Sequence, residues 1–201
     1  MSADPTPTAD PTPTRHTLNG VNLNQLHATL DMLRQSDDEA SHFVFRARNQ
    51  WIDGGHNQTR IKDFSLAGEE DSSRAAIDGW TYDADEPPVL LGENHGPNPV
   101  EYLLAALASC LTTSMIVHAA AQGIELEQVE AHLDGDLDIR GFLGLNSNIR
   151  NGYQQIRVRF DIKAPAATPE QLDELVQMAQ ARSPVYDMVT HGVPVDVQRS
   201  H

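Results

Sequence analysis

Cys110 is the only cysteine among the 201 residues, and its thiol is the first candidate for nucleophilic or redox chemistry. A thiol reacts as the thiolate, which a nearby cation, a hydrogen bond or a helix N-terminus stabilises. The residues around Cys110 in the sequence are mostly alanine and leucine and supply no such group. Two interpretations stay open, a reactive thiol or a small core residue, and the helical spacing alone favours the core residue.

The nine histidines, among them His56, His95, His118 and His191, are the other candidate chemical groups. They form no HExxH motif and no paired Cys/His spacing, so the sequence predicts no metal site. It also contains no GxSxG elbow and no dinucleotide or phosphate-binding glycine motif, which argues against an α/β-hydrolase and a nucleotide cofactor. We therefore expect neither a metal nor a cofactor.

The segment that carries Cys110 has the start and stop signals of a long helix. Asn98 can accept a hydrogen bond from the first turn, and Pro99 suits the first helical position. Glu101 completes a capping box with Asn98, and Gly123 supplies a left-handed residue that ends the helix. The sequence predicts one helix between Asn98 and Gly123.

From Tyr102 to Ala121 this helix contains no Asp, Glu, Lys or Arg. A helix without a polar face is typical of one surrounded by protein, so we expect residues 105–121 to be inaccessible. The same length would also span a membrane. The stretch is rich in alanine, includes several serines and threonines and lacks flanking Lys or Arg, which favours a buried helix and no membrane partner.

The charge of the chain restricts its partners and its compartment. There are 14 Lys and Arg residues against 29 Asp and Glu residues, a formal net charge of -15. This excess of negative charge argues against nucleic acid and anionic membranes as partners. A single cysteine allows no intramolecular disulfide, and the N-terminus lacks a signal-peptide pattern, so we expect a cytoplasmic protein.

Composition divides the chain into three parts. Residues 1–20 are a tail rich in proline and threonine, with a repeat of ADPTPT, and we expect it to be disordered. Residues 21–42 contain an amphipathic helix from about Asn22 to Gln35, which docks on the domain or on a second subunit. Its apolar stripe consists of Leu23, Leu26, Leu30 and Leu33. Residues 43–201 form one domain.

Within residues 43–201, alternation with a period of two predicts strands, the first of them half-buried. Thr168 begins a capping box for a helix that Pro184 ends or interrupts, and a shorter helix covers about 185–190. The acidic segment 83–97 is irregular. This order predicts an α+β fold with antiparallel pairing. The predicted strands are 43–51, 59–66 after a turn at Asp53-Gly54-Gly55, 77–82, 129–139, 156–162 and an edge strand at 193–197.

The stretch GPNPVEYLLAALASC closely resembles the segment with the reactive cysteine in the OsmC/Ohr family, the osmotically inducible and organic hydroperoxide resistance proteins. The resemblance covers roughly Phe43 to Val197 and includes RSPVYDMV, where that family often has a second cysteine before a proline. It implies an OsmC-like α+β fold, an antiparallel curved sheet around a long buried central helix in an intertwined homodimer. It also implies thiol-dependent reduction of organic hydroperoxides, with a sulfenic acid captured by the second cysteine.

Three positions depart from the pattern of the family's peroxidases. Ser183 occupies the position of the resolving cysteine, and a hydroxyl cannot form the disulfide. His56 follows the Gly-Gly pair where the peroxidases have an arginine, with Arg60 four residues on, and a neutral histidine is a weaker partner than a permanent cation. The peroxidase glutamate is matched by Val100, and Glu101 lies one residue later, about 100 degrees round the helix.

Only Cys110 is intact among these positions, which indicates a divergent branch of the family. Two functions stay open. Cys110 works as a one-cysteine peroxidase that an external thiol reduces, with Glu101, His56 and Arg60 as its catalytic partners. Alternatively, the dimer binds a small hydrophobic or acyl ligand and does not react with it.

Overall fold

The computed structural model describes residues 16–36 and 38–200, an α+β protein with three separate antiparallel sheets. Most of the predicted disordered tail, residues 1–15, lies outside the described residues. The elements are β1 Thr17–Leu18, β2 Val21–Asn22, α1 Leu23–Gln35, β3 Phe43–Asp53, β4 His56–Leu66, β5 Glu69–Glu70, β6 Trp80–Ala84, α2 Pro99–Ala121, β7 Gln128–Asp136, α3 Ile139–Phe142, β8 Gln155–Lys163, α4 Pro169–Arg182 and α5 Pro184–His191, with 3-10 turns at Asp38–Ser41 and Pro88–Leu90.

The first sheet is a hairpin that the sequence reasoning missed, because residues 16–20 were assigned to the tail. Asn19 and Gly20 have φ values of 52° and 78°, and positive φ at both positions is the mark of the tight turn that joins β1 to β2. The Asn19 side chain donates to the Ile124 carbonyl at 2.8 Å and accepts from the Leu126 N–H at 2.9 Å. The hairpin is therefore attached to the chain just beyond α2.

The predicted amphipathic helix is present as α1, and Asn22 caps it by accepting from the Gln25 N–H. Its apolar stripe does not dock on the rest of the same chain. Only Leu23 is buried, whereas Leu30 and Leu33 are 37% and 39% exposed. Docking on a second subunit stays a prediction.

The second sheet joins β3, β4 and β5 in that order, and β6 pairs with the other part of β4. The predicted turn at Asp53 is present, but β4 begins at His56, three residues earlier than predicted. Every residue of β3 is exposed, so the prediction of a half-buried strand is wrong within one chain. The third strand begins at Trp80 and excludes Ile77, because Gly79 at a φ of 86° interrupts extended backbone before it.

The long helix α2 has the predicted ends. Asn98 accepts from the Val100 N–H, the Glu101 carboxylate accepts from the Asn98 N–H, and Gly123 has a φ of 73°. By length and composition, α2 is the one helix of the described ranges that would be able to span a membrane.

The expected burial of residues 105–121 is wrong for a single chain, because only one side of α2 is covered. Apolar composition predicts that a helix needs cover, but it does not say which chain provides that cover. The buried residues are Leu107, Leu111, Met115, Ala119 and Ala120.

The core lies where the covered side of α2 meets α4 and the third sheet, β7 paired with β8. The predicted capping box of α4 is present, with Thr168 and Gln171 bonded to each other's N–H groups. Ile139 was predicted at the end of a strand, but it begins α3, because Asp138 caps that helix through the Arg140 N–H. The buried cluster is Met115, Ala119, Ile124, Ala164, Leu175 and Ala179.

The predicted final edge strand is not formed. Gly192, at a φ of 71°, ends α5, and residues 192–200 have no regular structure. Val193, Val195 and Val197 are 52%, 76% and 87% exposed. A strand needs a paired neighbour, and no described strand pairs with this segment.

Candidate functional site

Cys110 is half-buried near the middle of α2. It lies eleven residues after Pro99, about 16 Å along the axis at 1.5 Å per residue. The favourable field of a helix N-terminus falls off within its first turn, so it does not activate this thiol. The Cys110 sulfur also forms no hydrogen bond to any residue of 16–36 or 38–200, so no described group stabilises a thiolate there.

A groove of about 630 Å³ separates α2 from the second sheet. On the helix side, Tyr102, Ala106 and Ser109 line it, and Thr59 and Ile61 line it from β4. Cys110 lies one helical turn after Ala106, so helical spacing places it next to the residues that line this groove, although it is not one of them. The helix face beside the thiol is thus largely apolar and open.

A second groove, of about 480 Å³, lies on the other side of α2, against β8 and α5. Leu103 and Leu107 line it from the helix, and Tyr186 and Val189 line it from α5. Cys110 is three residues after Leu107, so it occupies the helix surface between the two grooves.

His56 lies at the start of β4, where its Nε2 is 2.9 Å from Asp83 Oδ1. Its ring stacks on the ring of His95, with centroids 4.4 Å apart and planes 7° apart. The hydrogen bond from His56, and then the one from Gln58, lower the pKa of Asp83. His56 therefore has a carboxylate partner in this structure, and it is not bonded to Cys110.

Asp85 is the most enclosed carboxylate of this region, with a side chain 2% exposed. Burial raises its pKa, but His95 Nδ1 and the N–H groups of His95, Glu86 and Glu93 donate to it, and the net pKa lies well below its usual range. The same hydrogen bond to Asp85 raises the pKa of His95. Sequence reasoning missed the pairing of Asp85 with His95, because no residue spacing marks it.

Arg60 and Glu101 also have partners of their own. Arg60 Nη2 donates to the Asp78 carbonyl at 2.5 Å. Alternation along β4 places Arg60 on the sheet face opposite Thr59, which lines the groove beside α2. Glu101 serves the capping box at the start of α2 and is exposed. Within one chain, the structure does not bring Arg60, Glu101 or His56 onto Cys110.

Ser183 is 2% exposed, and its hydroxyl accepts from the Tyr186 N–H at 3.2 Å. It is the N-cap of α5, a role for which serine is a favoured residue. The side chain at the family's resolving-cysteine position thus has a structural function here.

Across residues 16–36 and 38–200, no three His, Cys, Asp or Glu side chains are grouped so that they could hold a metal ion. The stacked histidines contact separate aspartates, Asp83 and Asp85.

The sequence model of the family described as OsmC-like protein matches residues 92–198 of this chain. The chain is similar to the crystal structure of an OsmC-like protein from Mycoplasma pneumoniae, at 14% identity and a TM-score of 0.56, over 73% of this chain and 86% of that one. It is similar to an OsmC-like protein of unknown function from Vibrio cholerae, at 16% identity and a TM-score of 0.54, over 73% and 94% of the chains.

An organic hydroperoxide resistance protein OsmC from Legionella pneumophila is 19% identical, with a TM-score of 0.49 over 74% of this chain and 90% of that one. No curated protein matches the sequence. The family match and the two structures with higher TM-scores confirm the predicted α+β OsmC-like fold.

Proposed function

The chain belongs to the OsmC-like protein family, and from this premise we propose that it is a stress-response protein that reduces organic hydroperoxides through Cys110. One observation carries the proposal. The only thiol of the chain is half-buried, and it is on α2 one helical turn after Ala106, which lines an apolar groove of about 630 Å³. That groove would hold the organic part of a hydroperoxide beside the sulfur.

The proposed reaction begins when the Cys110 thiolate attacks the terminal oxygen of the hydroperoxide. The O–O bond breaks, the leaving alkoxide takes a proton and departs as an alcohol, and Cys110 becomes a sulfenic acid. One molecule of an external thiol then forms a mixed disulfide with Cys110 and releases water. A second thiol molecule attacks that disulfide, which returns the Cys110 thiol and releases an oxidised disulfide.

His56, Arg60 and Glu101 are the other proposed catalytic residues in this reaction. Each has another partner in the structure, so each must exchange that partner to act on Cys110. No cation among the described residues is bonded to Cys110, and Ser183 offers no resolving thiol. We therefore expect slow turnover.

The proposal includes a homodimer. Three apolar surfaces of one chain lack cover: the open side of α2, the strand β3 and the stripe of α1. Phe45 and Trp51 of β3 are 65% and 68% exposed, although Phe45 contacts the rings of Phe43 and Phe64 and Trp51 donates to the Gly54 carbonyl. Sedimentation of the full chain at micromolar concentration should give the mass of two chains, and the mass of one chain would contradict the dimer.

A second candidate function is binding without chemistry. The groove beside α2 favours it, because most of its lining is apolar and no described group is bonded to the thiol. In this case the groove holds a small hydrophobic or acyl ligand, and Cys110 only packs beside it.

One experiment separates the two functions. Wild type and Cys110→Ser are compared for consumption of cumene hydroperoxide with an added dithiol, and a dimedone adduct reports the sulfenic acid. We expect slow consumption and an adduct in wild type only. If both proteins are inert, Cys110 resists alkylation until unfolding and both bind a fluorescent fatty acid equally, the protein is a binding module.

A further inference from the structure

The face of the second sheet that points away from α2 concentrates positive charge. Arg46 and Arg48 of β3 and Arg60 and Lys62 of β4 line a groove of about 590 Å³, together with Asp63 and Glu70. Four of the 14 basic residues of a chain with net charge -15 thus share one groove. Of these residues only Arg60 is also a proposed catalytic partner of Cys110, and within one chain it lies on the sheet face away from the groove beside α2.

Two of these cations face each other without compensation. Arg48 and Arg60 are direct partners across β3 and β4, and like charges in directly opposite positions destabilise a sheet. Within residues 16–36 and 38–200, the Arg60 side chain donates only to the Asp78 carbonyl, which is uncharged. Arg48 forms no ion pair and no side-chain hydrogen bond with any residue in the described ranges.

Arg46, in the same groove, has a carboxylate partner. Its two Nη atoms donate to the two carboxylate oxygens of Glu70 at 2.9 and 2.7 Å, and this hydrogen bonding raises the pKa of Arg46. Such two-point contact with a planar anion is the geometry that guanidinium groups favour. An anion of the same shape between Arg48 and Arg60 would turn their repulsion into two attractive contacts.

We propose that the groove binds an oxyanion, the phosphate or carboxylate group of a small molecule, between Arg48 and Arg60, with Lys62 as a third cation. The site lies on the opposite sheet face from the groove beside Cys110, and Arg48 and Lys62 have no role in the proposed reaction. The oxyanion comes either from a free inorganic ion or from an organic phosphate, and the two sources share the same recognition.

The test measures melting temperature as sodium phosphate is added at pH 7, with sodium chloride adjusted to keep the ionic strength constant. Wild type should show a saturable rise, because a ligand that binds only the folded protein stabilises it. Arg48→Gln should melt higher than wild type without phosphate, because the repulsion is relieved, and should lose the rise. Titration calorimetry should show at least tenfold weaker phosphate binding in this variant.

Arg159→Gln is the matched control, because it removes the same charge from β8, where Arg159 is 72% exposed and 4.0 Å from Asp161. It should keep the phosphate response.

Glycerol phosphate in place of inorganic phosphate distinguishes the two sources of the oxyanion. Tighter binding assigns the site to an organic phosphate, and equal or weaker binding assigns it to the free ion. An equal response of wild type and Arg48→Gln would overturn the proposal. A lower sedimentation mass for Arg48→Gln, without a phosphate effect in wild type, would also overturn it and assign the groove to an interface with a second copy.

Discussion

The imidazole rings of His56 and His95 lie face to face, with centroids 4.4 Å apart and planes 7° apart. The contact joins the start of β4 to the segment before α2. Each ring has its own aspartate, Asp83 for His56 and the buried Asp85 for His95. The stack therefore couples two histidine–carboxylate pairs at a point where two distant parts of the chain meet.

The pair of His95 and Asp85 should make stability depend on pH. The raised pKa of His95 gives stability that is full below the ordinary histidine pKa near 6.5 and is lost as pH rises through the folded value. The lowered pKa of Asp85 gives stability that is full above about pH 4 and is lost as pH falls further. In urea unfolding from pH 5.5 to 8.5, the advantage of wild type over His95→Gln should shrink as pH rises.

His191→Gln is the control for that experiment, because His191 forms a surface pair with Asp187 at 3.0 Å with both side chains more than two-thirds exposed. Exposed pairs contribute little to stability, so its difference from wild type should stay small at every pH. If the free energies of unfolding of wild type and His95→Gln differ by the same amount at every pH, the charge of His95 does not contribute to stability.

His56 should tune the reactivity of Cys110 if it exchanges Asp83 for the thiolate. The rate of Cys110 alkylation between pH 5 and 9 should then show an inflection that disappears in His56→Ala. Asp83→Asn weakens the competing contact and should enlarge the inflection. Identical profiles for wild type and His56→Ala would restrict His56 to its contacts with Asp83 and His95.

Ser183→Cys should have two opposite effects. It should raise peroxidase turnover by providing a resolving thiol, provided the Cα atoms of residues 110 and 183 come within about 7 Å. It should also lower the free energy of unfolding by about 1 kcal/mol, because the N-cap of α5 is lost. Ser183→Ala removes the cap alone, and so it should match the stability loss without any gain in turnover.

Gly96→Ala should distort the segment that positions His95. A methyl group at Gly96 would lie 2.0 Å from the Asp83 carbonyl oxygen, which already accepts from the Tyr102 hydroxyl. Because backbone must shift, we expect a loss of about 1–3 kcal/mol in urea unfolding. At Gly152 the same methyl group meets no atom within 4 Å, so Gly152→Ala should change stability by less than about 0.5 kcal/mol. Equal losses in the two variants would contradict this explanation.

The sequence was sufficient for features that local chemistry decides. The ends of α2 follow from Asn98, Glu101 and Gly123, which act within one turn of each end. The burial of α2 was not predictable in the same way, because an apolar face indicates a need for cover without naming the chain that provides it. The strand expected at 193–197 is not formed for a related reason. Alternation predicts which residues share one face of a strand, but it does not predict which strand pairs with it.

The same distinction between local sequence signals and distant contacts applies to the candidate site. Cys110 was identified from its uniqueness and its surrounding motif. The cap formed by Ser183 was not predicted, although serine directly before a proline is a sequence signal for the start of a helix. The pairing of Asp85 with His95 depends on how residues 85–95 fold back on themselves, and no periodic pattern encodes that.

The two hydrogen bonds of Asn19 close the chain between residues 19 and 126 into a loop that no covalent bond holds. The amide holds Ile124 and Leu126 from across more than a hundred residues, and the exposed α1 lies on the intervening chain. A protease that cuts α1 would therefore open this loop, and the two hydrogen bonds of Asn19, at about 1 kcal/mol each, are too weak to retain the N-terminal fragment. A chain cut there should separate into two pieces on a sizing column without denaturant.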